Sequence, residues 1–232
     1  MKTLPTTAFL CLLSAATAFA QTTPQVRSVA SFHAVEVSSG IELRLTPGTS
    51  QHVEASADDA DQLERLKTEV RDGVLKISYD RAMTESLGFS KPRLRVNVTA
   101  TSLTALHASS GAHAEVIGAF TTQKLDVEVS SGASLKANFA STDLRAQVSS
   151  GGTATLAGTA QRLDVGASSG GVFKGDGLTA RACEASASSG GNLSVAVQET
   201  LTANASSGGD VRYTGSPRVS KRTSSGGSVK QR

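Results

Sequence analysis

Apolar and polar residues alternate along residues 101–232, and one short phrase, Ser-Ser-Gly, interrupts the alternation at regular intervals. Successive copies are separated by 21, 19, 19, 20, 18 and 18 residues. A near-constant period of this size is typical of repeat architectures, in which each unit stacks on the previous one. The seven regular copies end at Gly111, Gly132, Gly151, Gly170, Gly190, Gly208 and Gly226, and an outlying copy ends at Gly40.

The residues on either side of each copy alternate with a period of two. The position seven residues before the glycine carries Leu125, Leu144, Leu163, Cys183, Leu201 and Val219. The positions five and three residues before it are also mainly apolar, whereas those in between are mainly polar. This alternation predicts a strand with one buried face, and it resumes after the glycine. Each unit therefore holds two short strands around a corner, where glycine permits backbone angles that side chains disfavour.

Two architectures accommodate two strands in each unit. In a parallel β-helix each unit is one coil, stacked on the last at about 4.8 Å. In the other architecture the units form a row of antiparallel hairpins. Equivalent residues recur at equivalent positions, as stacked coils require, so we predict an all-β, right-handed parallel β-helix with about 18–21 residues per coil. A flexible Ser/Gly linker is disfavoured because Leu and Val alternate with charged residues.

Residues 21–100 predict a β-rich first part of the same structure, and residues 101–232 the Ser-Ser-Gly repeats. Strand patterns flank the outlying copy. Residues 58–70 have an acidic start and the leucine spacing of a short amphipathic helix, with Leu63, Leu66 and Val70 on one face. Asp72-Gly73 predicts a hairpin turn between segments 66–70 and 74–79. A loop is predicted over 83–92.

The first twenty residues predict a secretory signal peptide. Lys2 precedes an apolar run over 8–20, which ends in Ala18-Phe19-Ala20 before Gln21. Export places the protein in the periplasm, on the cell surface or outside the cell. No later run is long and apolar enough to predict a transmembrane segment.

Cys183 is the one cysteine outside the predicted signal peptide. A lone cysteine cannot form an internal disulfide. It stands in the leucine column, so we predict a buried core thiol, with a reactive thiol or an intermolecular disulfide as the alternative.

Three segments give the chain a family resemblance: FHAVEVSSGIELRLTPG, VRDGVLKISYD and LRVNVTATSLTALHASSGAHAEVIG. Together they resemble a bacterial domain of unknown function labelled "putative auto-transporter adhesin, head GIN domain", over about residues 26–230. The resemblance implies a right-handed β-helix-like fold on a secreted or cell-surface protein. It brings no catalytic residues to this chain.

The positive charges of the repeats are aligned rather than scattered. An outward column carries Lys136, Lys174, Arg212 and Lys230, and the C-terminal end adds Arg218, Lys221, Arg222 and Arg232. The column is either a solubilising face or a binding site for an acidic polysaccharide or lipopolysaccharide. The balance of 23 basic and 20 acidic residues is too mild to imply nucleic acid, and no aromatic residues are interleaved to stack bases.

Acidic residues suggest an enzymatic alternative. Asp164 and Glu184 follow Asp126 and Arg145 in one outward column, and stacked coils would place these two carboxylates about 5 Å apart, as acid–base hydrolysis requires. The alternative is a ladder of charges that neutralise one another. The chain has no Trp to support a sugar ring, so we predict no catalytic residues.

We also expect no metal or cofactor. His107 and His113 bracket Gly111, but two imidazoles without a carboxylate or thiolate partner make no convincing site.

The sequence thus predicts an exported, non-enzymatic β-helix with an adhesin-like or cell-envelope binding role. The alternatives are a polysaccharide lyase or hydrolase and a structural envelope spacer. The last coil, over 223–232, shows no cap, so its free edge predicts weak self-association or a C-terminal cap not apparent from the sequence.

Overall fold

The computed structural model describes residues 23–80 and 92–232. The predicted signal peptide and nearly all of the predicted 83–92 loop lie outside the described residues. Within them the chain forms seventeen strands and one helix. The first part comprises β1 (Gln25–Val26), β2 (Ala34–Val37), β3 (Glu42–Pro47), β4 (His52–Ser56), α1 (Ala60–Arg65), β5 (Leu66–Arg71), β6 (Val74–Tyr79) and β7 (Arg95–Ala100). The repeats comprise β8 (Ala105–Ala108), β9 (His113–Val116), β10 (Phe120–Val129), β11 (Ser134–Val148), β12 (Thr153–Ala167), β13 (Val172–Ala187), β14 (Asn192–Ala205), β15 (Asp210–Thr214), β16 (Arg218–Thr223) and β17 (Ser228–Gln231).

The repeats stack in parallel and in register. Leu125 of β10 pairs with Leu144 of β11, which pairs with Leu163 of β12, and the column continues through Cys183 to Leu201 and Val219. The result is a β-solenoid of about seven turns. The predicted parallel β-helix is therefore confirmed, and the row of antiparallel hairpins is wrong.

The strands of the repeats are longer than two short segments per unit. β11 runs continuously for 15 residues, from Ser134 to Val148. It contains the strand that follows one corner and the strand that precedes the next. The ladder to β12 continues from Ser141 to Asp143, with Thr142 alone unpaired. The polar–apolar pattern predicted the Ser-Ser-Gly corners. It did not predict that the two strands between successive corners are joined into one.

Each corner is a tight turn that also hydrogen-bonds to its neighbour. At Ser130-Ser131-Gly132 the two central residues have φ of 51° and 72°, as a type I′ turn requires. The N–H of Ala133 donates to the carbonyl of Ser130 across the turn, with an N–O distance of 3.0 Å. The N–H of Gly132 donates to Ser150 of the next corner at 3.1 Å. The corners therefore continue the backbone ladder along the stack.

The outlying copy at Ser38-Ser39-Gly40 belongs to this ladder. The N–H of Gly40 donates to the carbonyl of Ser110, and β2 and β3 pair in parallel with β8 and β9. On their other side, β2 and β3 pair with β6 and β7. The elements β4 to β7, which come between β3 and β8 in the chain, thus form an excursion that covers the N-terminal end of the stack.

Antiparallel strands form the edges at that end. β5 pairs with β6 across the predicted Asp72-Gly73 hairpin, and β4 pairs with β7 and β1. The helix is shorter than predicted: it begins after the N-cap Asp59 and ends at Arg65. Leu66 is extended and starts β5, because this strand pairs with the side of β6 that faces away from β2 and buries the Leu66 side chain. The predicted helical face of Leu63, Leu66 and Val70 is therefore wrong.

One inward position becomes smaller toward the C-terminal end of the stack. The position directly after each corner glycine is occupied in turn by Ile41, Ala112, Ala133, Gly152, Gly171, Gly191, Gly209 and Gly227. A Cβ on Gly171 would lie 2.4 Å from the carbonyl oxygen of Val148. The later corners thus close against the preceding coil, where no side chain fits. None of the helices in the described part of the chain is long and apolar enough to span a membrane.

Candidate binding surfaces

The four predicted cations do share one outward column. Stacking pairs Lys136 with Thr155, Thr155 with Lys174, Lys174 with Ser194, Ser194 with Arg212 and Arg212 with Lys230. All four charged side chains are exposed. We call Lys136, Lys174, Arg212 and Lys230 the cationic column. Because the register fixes it, the column runs along the axis of the solenoid.

Carboxylates neutralise part of the cationic column. Lys136 Nζ lies 3.4 Å from a carboxylate oxygen of Glu115, and Arg212 Nε lies 3.3 Å from one of Asp210. Lys174 and Lys230 form no ion pair among the described residues. The cations that remain free to bind an external anion are therefore concentrated toward the C-terminal half.

The predicted acidic column also forms, on the sheet that precedes the corners. Asp164 lies between Arg145 and Glu184 in register. Arg145 Nε is 4.0 Å from an oxygen of Asp164. These residues line a groove of about 420 Å³ on the sheet surface. The two carboxylates are thus adjacent, as an acid–base pair would need, but a cation flanks one of them.

A second charged column borders the same groove. Arg162 donates two hydrogen bonds to Asp143, one of them 2.6 Å from Nη2 to Oδ2. The Arg162 guanidinium holds the pKa of the Asp143 carboxyl below its ordinary value, chiefly through these hydrogen bonds. The groove therefore consists largely of mutually compensating charges.

A larger concavity than this groove lies beside the N-terminal end of the cationic column. It encloses about 860 Å³ and is bordered by β3, β7, β9 and β11. Within it Glu42 accepts hydrogen bonds from Arg95 and lies 3.3 Å from Arg44. Hydrogen bonding to Arg95 is the main cause that lowers the pKa of Glu42. The cleft is lined by four cations and three carboxylates, so most of its charge is compensated.

The histidines have separate partners. His107 Nε2 lies 3.8 Å from a carboxylate oxygen of Asp126, and His113 Nδ1 lies 2.7 Å from the hydroxyl of Ser134. No cluster of three or more metal-ligating side chains occurs within residues 23–80 and 92–232.

Cys183 is a buried free thiol, 5% exposed. Burial, and to a smaller extent the nearby carboxylates of Asp164 and Glu184, raise the pKa of the Cys183 thiol to about 12. The prediction of a core thiol in the leucine column is confirmed.

Solved structures share the fold. A crystal structure described as a putative adhesin from Bacteroides fragilis is 21% identical, with a TM-score of 0.78, and the match covers 90% of this chain and 96% of the other. A putative adhesin from Parabacteroides distasonis is 21% identical with a TM-score of 0.67 and the same coverage. A putative lipid binding protein from Parabacteroides distasonis is 20% identical with a TM-score of 0.64, again with 90% and 96% covered. No curated protein matches the chain.

The family assignment comes from the sequence. Residues 31–217 match the family described as "Putative auto-transporter adhesin, head GIN domain". The match spans both the N-terminal part and the Ser-Ser-Gly repeats, and it agrees with the resemblance seen in the sequence. The chain belongs to this family.

Proposed function

We propose that the protein is an exported, non-enzymatic, adhesin-like protein that binds an anionic polymer along its cationic column. The observation that carries the proposal is the register, which puts four exposed cations from different coils on one line. Lys174 and Lys230, which lack carboxylate partners among the described residues, supply the strongest attraction for an external anion.

The spacing of the column suits an extended polymer. Neighbouring coils are about 4.8 Å apart, so Lys136, Lys174 and Arg212 follow one another at about 10 Å, and Lys230 follows Arg212 at about 5 Å. A polysaccharide or lipopolysaccharide with repeated anionic groups can contact several of them at once. Exposed charges attract such a ligand strongly only at low ionic strength.

Lipopolysaccharide deserves a separate arm of the test. One structural relative is described as a putative lipid binding protein, and lipopolysaccharide combines anionic groups with lipid. The contact proposed for this chain is with the anionic groups, because the cationic column presents no apolar surface.

The test compares binding of heparin, polygalacturonate and lipopolysaccharide at low and high salt. Lys174→Glu combined with Arg212→Glu should weaken binding at least tenfold. The control is Lys124→Glu combined with Arg218→Glu, which makes the same change of charge on the other face and should bind nearly as well as the unaltered protein. Absence of binding at low salt, or equal losses in both double variants, would contradict the proposal.

The adjacent carboxylates of Asp164 and Glu184 support a competing enzymatic function. A hydrolase of acidic polysaccharides would release reducing sugar, and Asp164→Ala with Glu184→Ala would abolish the release. We expect no release from the same polysaccharides, because the groove presents paired charges and no aromatic platform.

We also propose weak self-association through the C-terminal coil. β16 and β17 each pair on one side only, with β14 and β15, so each offers unpaired backbone groups. Lys221 and Lys230 on these strands oppose close strand pairing and keep the association weak. A strictly monomeric protein at high concentration in sedimentation experiments would exclude it.

A further inference from the structure

A polar pocket lies on the opposite side of the corner from the cationic column. Ser186, Asn204 and Arg222 pair in register on β13, β14 and β16. Ser206 and Ser224, the first serines of the last two corners, follow two residues after Asn204 and Arg222. Together with Ala205 and Thr223 these residues line a surface concavity of about 470 Å³. We call this concavity the Arg222 pocket.

Arg222 is exposed and forms no ion pair among the described residues. No carboxylate lines the pocket. The nearest acidic position on the neighbouring column is Glu184, whose coil is two removed from that of Arg222. The positive charge of the pocket is therefore uncompensated, in contrast to the groove and the N-terminal cleft, where arginines and carboxylates pair.

The other polar groups of the pocket are available to a ligand. The backbone N–H groups of Ser206 and Ser224 donate to the preceding coil, whereas their hydroxyls have no protein partner in the described structure. Asn204 adds an amide donor, and Arg222 adds a planar fork of donors. In the earlier coils the Arg222 position is held by Asn204, Ser186, Gly166, Gln147 and Glu128, so this combination is specific to the C-terminal corner.

We propose that the Arg222 pocket binds a tetrahedral oxyanion, the sulfate or phosphate group of an ester. A guanidinium fork recognises two oxygens of such a group, and hydroxyl and amide donors complete its hydrogen bonds. The absence of lining carboxylates disfavours a cation, and Ala205 is the single apolar contact. The binding of the oxyanion is independent of the proposed function. The further statement that the oxyanion is part of the polymer bound by the cationic column rests on the proposed function.

The primary test titrates inorganic sulfate and inorganic phosphate into the ¹⁵N-labelled chain without its predicted signal peptide, at constant ionic strength. The expected result is saturable shifts of the Asn204 side-chain amide and the Arg222 Nε–H resonance. In Arg222→Gln the Asn204 shift should be at least tenfold weaker, and in Arg222→Lys intermediate. Arg218→Gln removes the same charge from the same strand outside the pocket and should leave the shift unchanged.

Shifts that rise linearly without saturation, or equal losses in Arg222→Gln and Arg218→Gln, would overturn the proposal. A second arm compares a sulfated polysaccharide with phosphorylated lipopolysaccharide; displacement of bound sulfate by one and not the other identifies the source of the ester. Lys174→Glu with Arg212→Glu should keep sulfate binding at Asn204 while losing the polymer. Saturable sulfate binding without any polymer binding would support the pocket and refute the proposed function.

Discussion

Gly40 donates its backbone N–H to the carbonyl oxygen of Ser110 across 3.0 Å, although seventy residues separate the two in the chain. The two corners are therefore consecutive in the stack. Within the excursion, β6 and β7 pair with the other side of β2 and β3. The first coil in the sequence is thus the second layer of the fold.

The corner glycines should differ in their tolerance of alanine. A Cβ on Gly171 would lie 2.4 Å from the Val148 oxygen, whereas a Cβ on Gly170 would meet no atom within 4 Å. Gly171→Ala should lower the free energy of unfolding by about 3 kcal/mol, at the upper end for overpacking. Gly170→Ala keeps a φ of 73° and should cost about 1 kcal/mol through the left-handed conformation alone. Urea denaturation checks both, and equal losses would contradict the close approach of the coils.

Leu66 should behave as a core residue and Leu63 as a peripheral one. Leu66 is fully buried in β5, whereas Leu63 of α1 is only partly buried against the core. Leu66→Ala should cost about 3 kcal/mol of unfolding free energy, within the range for buried leucines, and Leu63→Ala less than half of that. Similar costs for the two variants would favour the helical face predicted from the sequence over the observed strand.

The Cys183 thiol should be inert in the folded protein. Its pKa is raised from 9.0 to about 12, so near neutral pH the thiolate fraction is about 1000-fold lower than in the unfolded chain. Ellman's reagent should therefore react slowly until denaturant is added. Burial of the neutral thiol makes its full contribution to the stability of the folded state below pH 9, and this contribution falls as the pH rises toward 12. Cys183→Ala should lack that alkaline loss; rapid labelling of the native protein would argue against a buried thiol.

The ion pair between Arg95 of the excursion and Glu42 of β3 should make the stability of the folded protein depend on pH in the acidic range. The pKa of Glu42 is lowered in the folded state from its ordinary value of 4.5. The pair therefore stabilises the folded protein at pH values above 4.5, and this stabilisation is lost as the pH falls through the folded-state pKa. Arg95→Gln should raise the pKa of Glu42 in a ¹³C-detected titration. The loss of stability should stay below about 1 kcal/mol, because both side chains are substantially exposed. An unchanged pKa would show that the hydrogen bond does not form in solution.

The sequence was informative wherever an interaction repeats. The columns through Leu125 and Lys136 followed from spacing alone, since each unit preserves its position relative to the glycine. The end of α1 did not follow, because Leu66 and Val70 share one face in a strand as well as in a helix. Pairing with β6 decides between them, and that pairing depends on the whole N-terminal end.

The charge partners were missed for a related reason. Glu115 stands four residues after Gly111, in the same column as Lys136, so extending the alignment by one copy would have revealed the pair. Asn204 and Arg222 also stand in one aligned column. Their pocket could not be predicted, because it depends on how closely the corner serines approach that column in space.

The most direct test of the account is the distance between spin labels attached to cysteines at Lys136→Cys and Lys230→Cys, in a Cys183→Ala background, measured by pulsed electron paramagnetic resonance. The two positions are five coils apart in the cationic column. Parallel stacking predicts about 24 Å between their backbones, broadened by a few ångströms for the labels. A row of hairpins would place two strands in each unit and give about 48 Å, and a distance near that value would contradict both the stack and the continuous cationic column.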